Sequence, residues 1–436
     1  MPSIRPFRGL GYALDRYARG PSSGLRIADL TEVVCPPYDV ISPEQQVGLL
    51  RRDPHNAVRL ELSAEPDPHA AAARTLATWQ ADGTLERRAE PSAYYYRHGR
   101  PSEPDEPVVQ GVLARVLLEP FGPGVRAHEH TMSGPKADRL ALLRATRTQL
   151  SPILAIYFDR SSRYDHLMGR PWSDEWRARD GDGLLHSLAA VEPDERLLGY
   201  LSRQQLFVAD GHHRYETALA HQAEVRSDPR RKDGAPGSLA ADWTMAVLVN
   251  ADREQLEILA THRLIREADD HALRSLVTDP GPIWETIAVP PEELFGRLGD
   301  MRNAEQPIFG LLLPGGEGYL MVGDAEAADD RMRRERMSTV VRSLDLAIVH
   351  STVLEDRLGI GPSAVAAGSA LAYTRDEADA IRAVASGEAK AAILVRPTRL
   401  EQLAAVASAG DVMPQKSTYF YPKLLTGLVF YPLEDE

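Results

Sequence analysis

The stretch FVADGHHRYETALAH, Phe207 to His221, constrains this chain more than any other. An apolar run of strand length ends in Asp210 and Gly211, and a helical pattern opens at His212. A strand that becomes a helix through glycine leaves the first helical amides unpaired, and with the helix dipole they favour an anion. Arg214 adds a planar fork suited to phosphate oxygens, and His212 and His213 can donate to the same group. Asp210 has the wrong sign for a phosphate unless a cation stands between them. A Mg²⁺ ion bridging carboxylate and phosphate would resolve the conflict. The plain alternative is that Asp210 caps the helix and the histidines satisfy nearby backbone.

Around this turn the patterns alternate. SPILAIYFD (151–159) and DWTMAVLVN (242–250) are apolar runs of buried-strand length, and KADRLALLRATRTQ (136–149) reads as a helix. PIFGLLL (307–313) and KAAILVRP (390–397) read as strands, while LDLAIVHSTVLEDRLG, RDEADAIRAVAS and RLEQLAAVASAG read as helices. The fold class is therefore mixed α/β (α+β). With 436 residues the chain has room for two domains, and the reading divides it into 1–270 and a C-terminal α/β domain, 271–436. Asn250 ends its strand and is expected at the same sheet edge as Asp210 if the two strands are neighbours.

Composition excludes several classes. A formal charge of −13 argues against a nucleic-acid coat, which needs a basic stripe. Cys35 is the only cysteine, so neither an intramolecular disulfide nor a CxxC metal knuckle can form. The opening MPSIRPFRGLGYALDRYARG lacks the apolar core of a signal peptide, and no apolar run reaches the roughly 18 residues of a membrane span. The expectation is a cytoplasmic protein with neither a nucleic-acid nor a membrane partner; its oligomeric state is left open.

Three further clusters carry chemistry. RAHEHTMSGPKADR holds His128, Glu129, His130, Thr131, Lys136 and Arg139. In an extended segment His128 and His130 share a face, as metal ligands could, and Glu129 points the other way as a possible general base. MPQKSTYFYPKLL places Lys416, Ser417 and Thr418 beside Tyr419 and Tyr421, without the upstream glycines of a phosphate loop. CPPYDVIS fixes Tyr38 and Asp39 in a constrained turn, read first as structural. His262 and Arg263 in ATHRLI are weaker candidates.

PFRGLGY, CPPYDVIS, RAHEHT, SPILAIYFD, ADGHHRYETAL and MPQKSTYFYPKL together resemble a bacterial and archaeal family known as conserved domain of unknown function 1015. VADGHHR is also similar to the phosphate-binding box of the ParB/sulfiredoxin superfamily, which includes free-serine kinases. That resemblance implies a ParB/sulfiredoxin-like N-terminal core. It puts Asp210, Gly211, His212, His213 and Arg214 on the box, with Asp210 serving Mg²⁺ and phosphate. It implies an earlier acid as base, and Glu129 matches by order and type.

The function expected is a nucleotide- and Mg²⁺-dependent phosphotransferase acting on a small hydroxylated metabolite such as serine, with ATP or ADP bound at the turn. Glu129, Asp210 and His213 would be catalytic. Gly211, His212, Arg214, Lys136, Arg139, Lys416, Ser417 and Thr418 would bind the nucleotide or the transferring group. Two alternatives stand beside it: a nucleotide-binding switch or scaffold without turnover, and a metal-dependent hydrolase built on the histidines.

Overall fold

A computed structural model describes residues 1–18, 26–99, 107–129, 133–161, 174–231, 234–334 and 337–434. His130 and Thr131 lie outside the described residues. The chain forms two compact units. The first comprises Met1–Ala127, Thr131–Glu257 and Pro422–Glu436, and the second His128–His130 and Ile258–Tyr421. The linear division expected from the sequence changes domain once, at 270/271. The chain changes unit after Glu257 and its last fifteen residues return to the first unit.

Among the described residues, ten strands of the first unit join in one mixed sheet. Its middle is strand Trp243–Asn250, antiparallel to Pro107–Leu117 on one side and parallel to Ile153–Tyr157 on the other. Strand Leu206–Asp210 pairs antiparallel with the far side of Ile153–Tyr157. Met245 to Val249 are buried without alternation, as a strand covered on both faces requires. Helices Ser133–Thr146 and His212–Arg226 pack on each other, and Tyr215 and Ala218 of the latter enter a core with Val208, Ile153 and Ala246. Burying a side chain of this size contributes about 1.5–3 kcal/mol, so the helix is held by its apolar face more than by propensity.

Strand direction corrects the expectation for Asn250. Asp210 pairs with Leu154, near the start of Ile153–Tyr157, whereas Asn250 pairs with Tyr157, at its end. The two lie at opposite ends of the shared neighbour strand, offset along it by roughly 10 Å at about 3.3 Å per residue. Asn250 instead exchanges hydrogen bonds with the backbone of Asp159, donating at 2.6 Å and accepting at 3.1 Å.

In the second unit six strands form an antiparallel sheet in the order Trp284–Ala288, Glu317–Gly323, Ile308–Leu313, Ala391–Val395, His262–Ile265 and Leu371–Thr374. Helix Glu377–Ala385 packs on it through Ala380, Ala383 and Val384. Asp345–Val349 continues into one wide π turn, His350–Glu355. The mixed α/β class expected from the alternating patterns is the class observed.

One buried carboxylate pins the helix that follows the turn. Asp242 is fully buried and accepts from Arg226 Nη2 at 2.6 Å and Nε at 2.7 Å, and from the amides of Gly237 and Leu239 at 3.0 Å. Burial pushes its carboxyl up, but the Arg226 and Leu239 hydrogen bonds outweigh this and hold it below the ordinary range. The stabilisation is therefore complete above the unfolded carboxyl value near pH ~4 and is lost as pH falls through the folded value. Asp242→Ala should cost about 1–3 kcal/mol in chemical denaturation, because it removes the Arg226 pair and leaves two amides without their acceptor. A loss below about 1 kcal/mol would refute this account.

Candidate functional site

Asp210 is the last residue of its strand, and the pairing slips there. Val208 faces Ala155, yet Asp210 faces Leu154. Such a bulge re-aims the next side chain. Gly211 then adopts φ +94° and caps helix His212–Arg226. A Cβ at Gly211 would meet Ile153 Cγ2 at 2.8 Å and Arg214 Nε at 3.0 Å, so both conformation and space demand glycine. The first intrahelical bond runs from Tyr215 N–H to Gly211 O, which leaves the amides of His212 to Arg214 ahead of the helical ladder.

The turn is stiffened by charge. Arg214 Nη2 donates to Asp210 Oδ2 at 2.6 Å, and its Nη1 donates to Pro152 O, at the mouth of the adjoining strand. Lys423 Nζ donates to Asp210 Oδ1. Burial pushes the Asp210 carboxyl up, but the charges of Lys423 and then Arg214 outweigh this and hold it far below the usual range. Asp210 is therefore an anion at every physiological pH. With two cations on one carboxylate, the trio carries one net positive charge.

Behind Arg214 lies a second layer. A cavity of ≈ 50 Å³ is lined by Glu61, Arg139, Arg214, Gln149 and Thr217 among others. Glu61 is 3% exposed, and Arg139 Nη1 lies 3.6 Å from its carboxylate and donates to its backbone carbonyl at 3.1 Å. Burial chiefly pushes the Glu61 carboxyl up; Arg139 and Arg214 pull against it without prevailing. The Arg139 guanidinium covers the Tyr38 ring at 4.3 Å; burial lowers the basicity of Arg214, but Asp210 and then Asp39, Tyr38 and Glu61 outweigh burial and raise it. The CPPYDVIS turn thus packs beside the DGHHR turn. Sequence reasoning passed over Glu61, which no motif marks, and Lys423, which stands inside the quoted terminal motif but behind the more conspicuous Lys416.

The other expected residues fall as follows. His212 is buried with its ring 6.5 Å from Phe121, and His213 is half-buried on the first turn of the helix. Lys136 is paired with Glu216 at 2.8 Å. In the second unit Glu129 Oε1 accepts the Lys416 amide at 2.9 Å, and Lys416 has φ +56°, a left-handed backbone rare for lysine. Arg263, fully buried, donates to the carbonyls of Gln415 and Lys416 at 3.0 Å, and burial pushes its guanidinium down to about 10. His128 Nε2 lies 2.9 Å from Thr418 Oγ1, and Ser417 Oγ donates to Pro414 O at 2.5 Å. The His128–Glu129 and Gln415–Thr418 segments, far apart in sequence, are therefore one construction.

Two expectations about metals meet this geometry. Among the described residues no group of three or more His, Cys, Asp or Glu could hold a metal ion, and His130 of the suggested histidine pair is outside them. Mg²⁺ on Asp210 does not fit the residues present. Each carboxylate oxygen already accepts from a cation. A divalent ion about 4 Å from a monovalent one is repelled by ~8 kcal/mol at an effective dielectric of about 20. Two such repulsions cancel most of the attraction of an Mg²⁺ seated at about 2.1 Å from a carboxylate oxygen, which is ~16 kcal/mol on the same scale.

Gly211→Ala should destabilise the first unit by roughly 1–3 kcal/mol through left-handed strain and the Ile153 clash, read as a lowered unfolding midpoint. An unchanged midpoint would show that the turn relaxes freely.

A family described as protein of unknown function (DUF1015) matches residues 4–347. No curated protein matches. Among solved structures, a conserved hypothetical protein from Pyrococcus furiosus is 13% identical with TM-score 0.35, over 69% of this chain and 89% of its own. A free serine kinase in complex with AMP is 13% identical with TM-score 0.34, over 70% and 89%. SbnI with C-terminal truncation from Staphylococcus aureus is 12% identical with TM-score 0.35, over 70% and 85%.

Proposed function

The chain belongs to the DUF1015 family of proteins of unknown function, and we propose that its first unit binds nucleotide phosphate at the Asp210–Arg214 turn and serves as a phosphotransferase on a small hydroxylated metabolite. The observation that carries this reading is the left-handed Gly211 opening a helix beside a carboxylate that holds two cations. Backbone amides, a helix dipole and a net positive trio are what an anion of phosphate type requires. Phosphoryl transfer is positioning and charge stabilisation more than covalent chemistry, so a stiff cationic turn suits it. ADP or ATP is the ligand proposed, and serine is the first acceptor to try, on the similarity of VADGHHR to the free-serine kinase box. The hydrolase reading has no three-ligand metal group among the described residues to support it.

Titration calorimetry with ADP and ATP tests the binding. Arg214→Ala should weaken binding by at least about tenfold, the effect of losing a charge-assisted contact of about 1.4 kcal/mol or more. At a ligand concentration of about 100 Kd the wild type should gain ~2.7 kcal/mol of apparent stability. Equal affinity of wild type and Arg214→Ala would remove the turn from the binding site. Nucleotide binding with no turnover on any hydroxylated acceptor would move the reading to the switch.

A further inference from the structure

We propose that Lys423 stands in the place of a divalent cation beside Asp210, so that the turn takes nucleotide phosphates with no metal ion on that carboxylate. This rests on the reading of the turn as a phosphate site and assigns the cation that the site uses.

The first support is occupancy. Asp210 Oδ1 accepts from Lys423 and Oδ2 from Arg214, and the side chains of Asp210 and Lys423 are only 13% and 10% exposed. A surface lysine pairs loosely and exchanges with water; a buried one beside a buried carboxylate is part of the construction. The second is anchorage. Lys423 is the second residue after the chain re-enters the first unit at Pro422, and the segment is fastened just beyond it. Thr426 and Cys35 exchange backbone hydrogen bonds at 2.9 and 3.1 Å, and Leu10 and Phe430 do so at 2.8 and 3.0 Å. The ammonium group is thus delivered to Asp210 by fixed backbone. The third is charge balance. Arg139 is held by Asp138 at 2.5 Å and lies 3.6 Å from Glu61, so the cations that reach the Asp210 carboxylate itself are Lys423 and Arg214. A phosphate entering at the helix terminus meets those cations directly, which is the service a bridging Mg²⁺ would otherwise supply.

The test is ADP titration of the full chain in EDTA and again in Mg²⁺, for wild type, Lys423→Arg and Lys423→Met. Wild-type affinity should agree within about threefold between the two buffers. Lys423→Arg should stay within about threefold of wild type, and Lys423→Met should lose at least about tenfold in EDTA. Should Lys423→Met fail to fold, Lys423→Gln keeps a donor for Asp210 without the charge and should show the same loss. Wild-type binding that needs Mg²⁺, or Lys423→Met binding as tightly as wild type in EDTA, would overturn the assignment while leaving the phosphate site in place. Wild type that binds ADP in neither buffer would overturn the phosphate site itself, and this role with it.

Discussion

The carboxylate of Asp210, gripped by Arg214 from within its own helix and by Lys423 from the returning C-terminal segment, is the contact on which the first unit's candidate site depends. A strand end, a glycine turn, a helix terminus and a distant piece of chain all meet at this one group. Each cation alone would be expensive to bury, and the carboxylate alone would be neutralised by its surroundings. Together they are stable, and one positive charge is left over.

Around that contact the fold supplies rigidity in layers. The bulge at Asp210 turns its side chain toward Lys423 and Arg214, and Ile153 closes against Gly211 so that only glycine fits. Arg214 reaches back to Pro152, tying the helix to the next strand. Farther along the same helix Arg226 is clamped on buried Asp242. The helix is therefore fixed near both ends by an ion pair and along its length by Tyr215 and Ala218 in the core. The second unit has an independent device of similar kind, in which Arg263 fastens the Gln415–Lys416 carbonyls and Lys416 presents its amide to Glu129.

Much of this was legible in the residues. Apolar runs such as ILAIY and FVA, and the helical pattern of HHRYETALAHQAEVR, follow from local periodicity, and the strand–glycine–helix junction follows from Asp210-Gly211 between them. What local pattern does not carry is which distant segments meet. Lys423 lies 213 residues from Asp210, and its partner is set by the chain's return to the first unit rather than by spacing. Glu61 sits in an ordinary alternating stretch and acquires meaning only from Arg139 and the cavity behind Arg214. Asn250 fails the other way: its strand was read correctly, but strand direction puts it at the wrong end. The bridging Mg²⁺ was inferred from a charge conflict at Asp210, and the fold places Lys423 on that carboxylate.

The central claim is that the amides opening the helix at His212 receive phosphate next to the Asp210–Arg214–Lys423 trio. The most direct measurement is a crystal structure of the chain with ADP. The account predicts a phosphate oxygen within hydrogen-bonding distance of the His212 or His213 amide and of Arg214 or Lys423. ADP held elsewhere, with those amides and both cations untouched by phosphate, would contradict it.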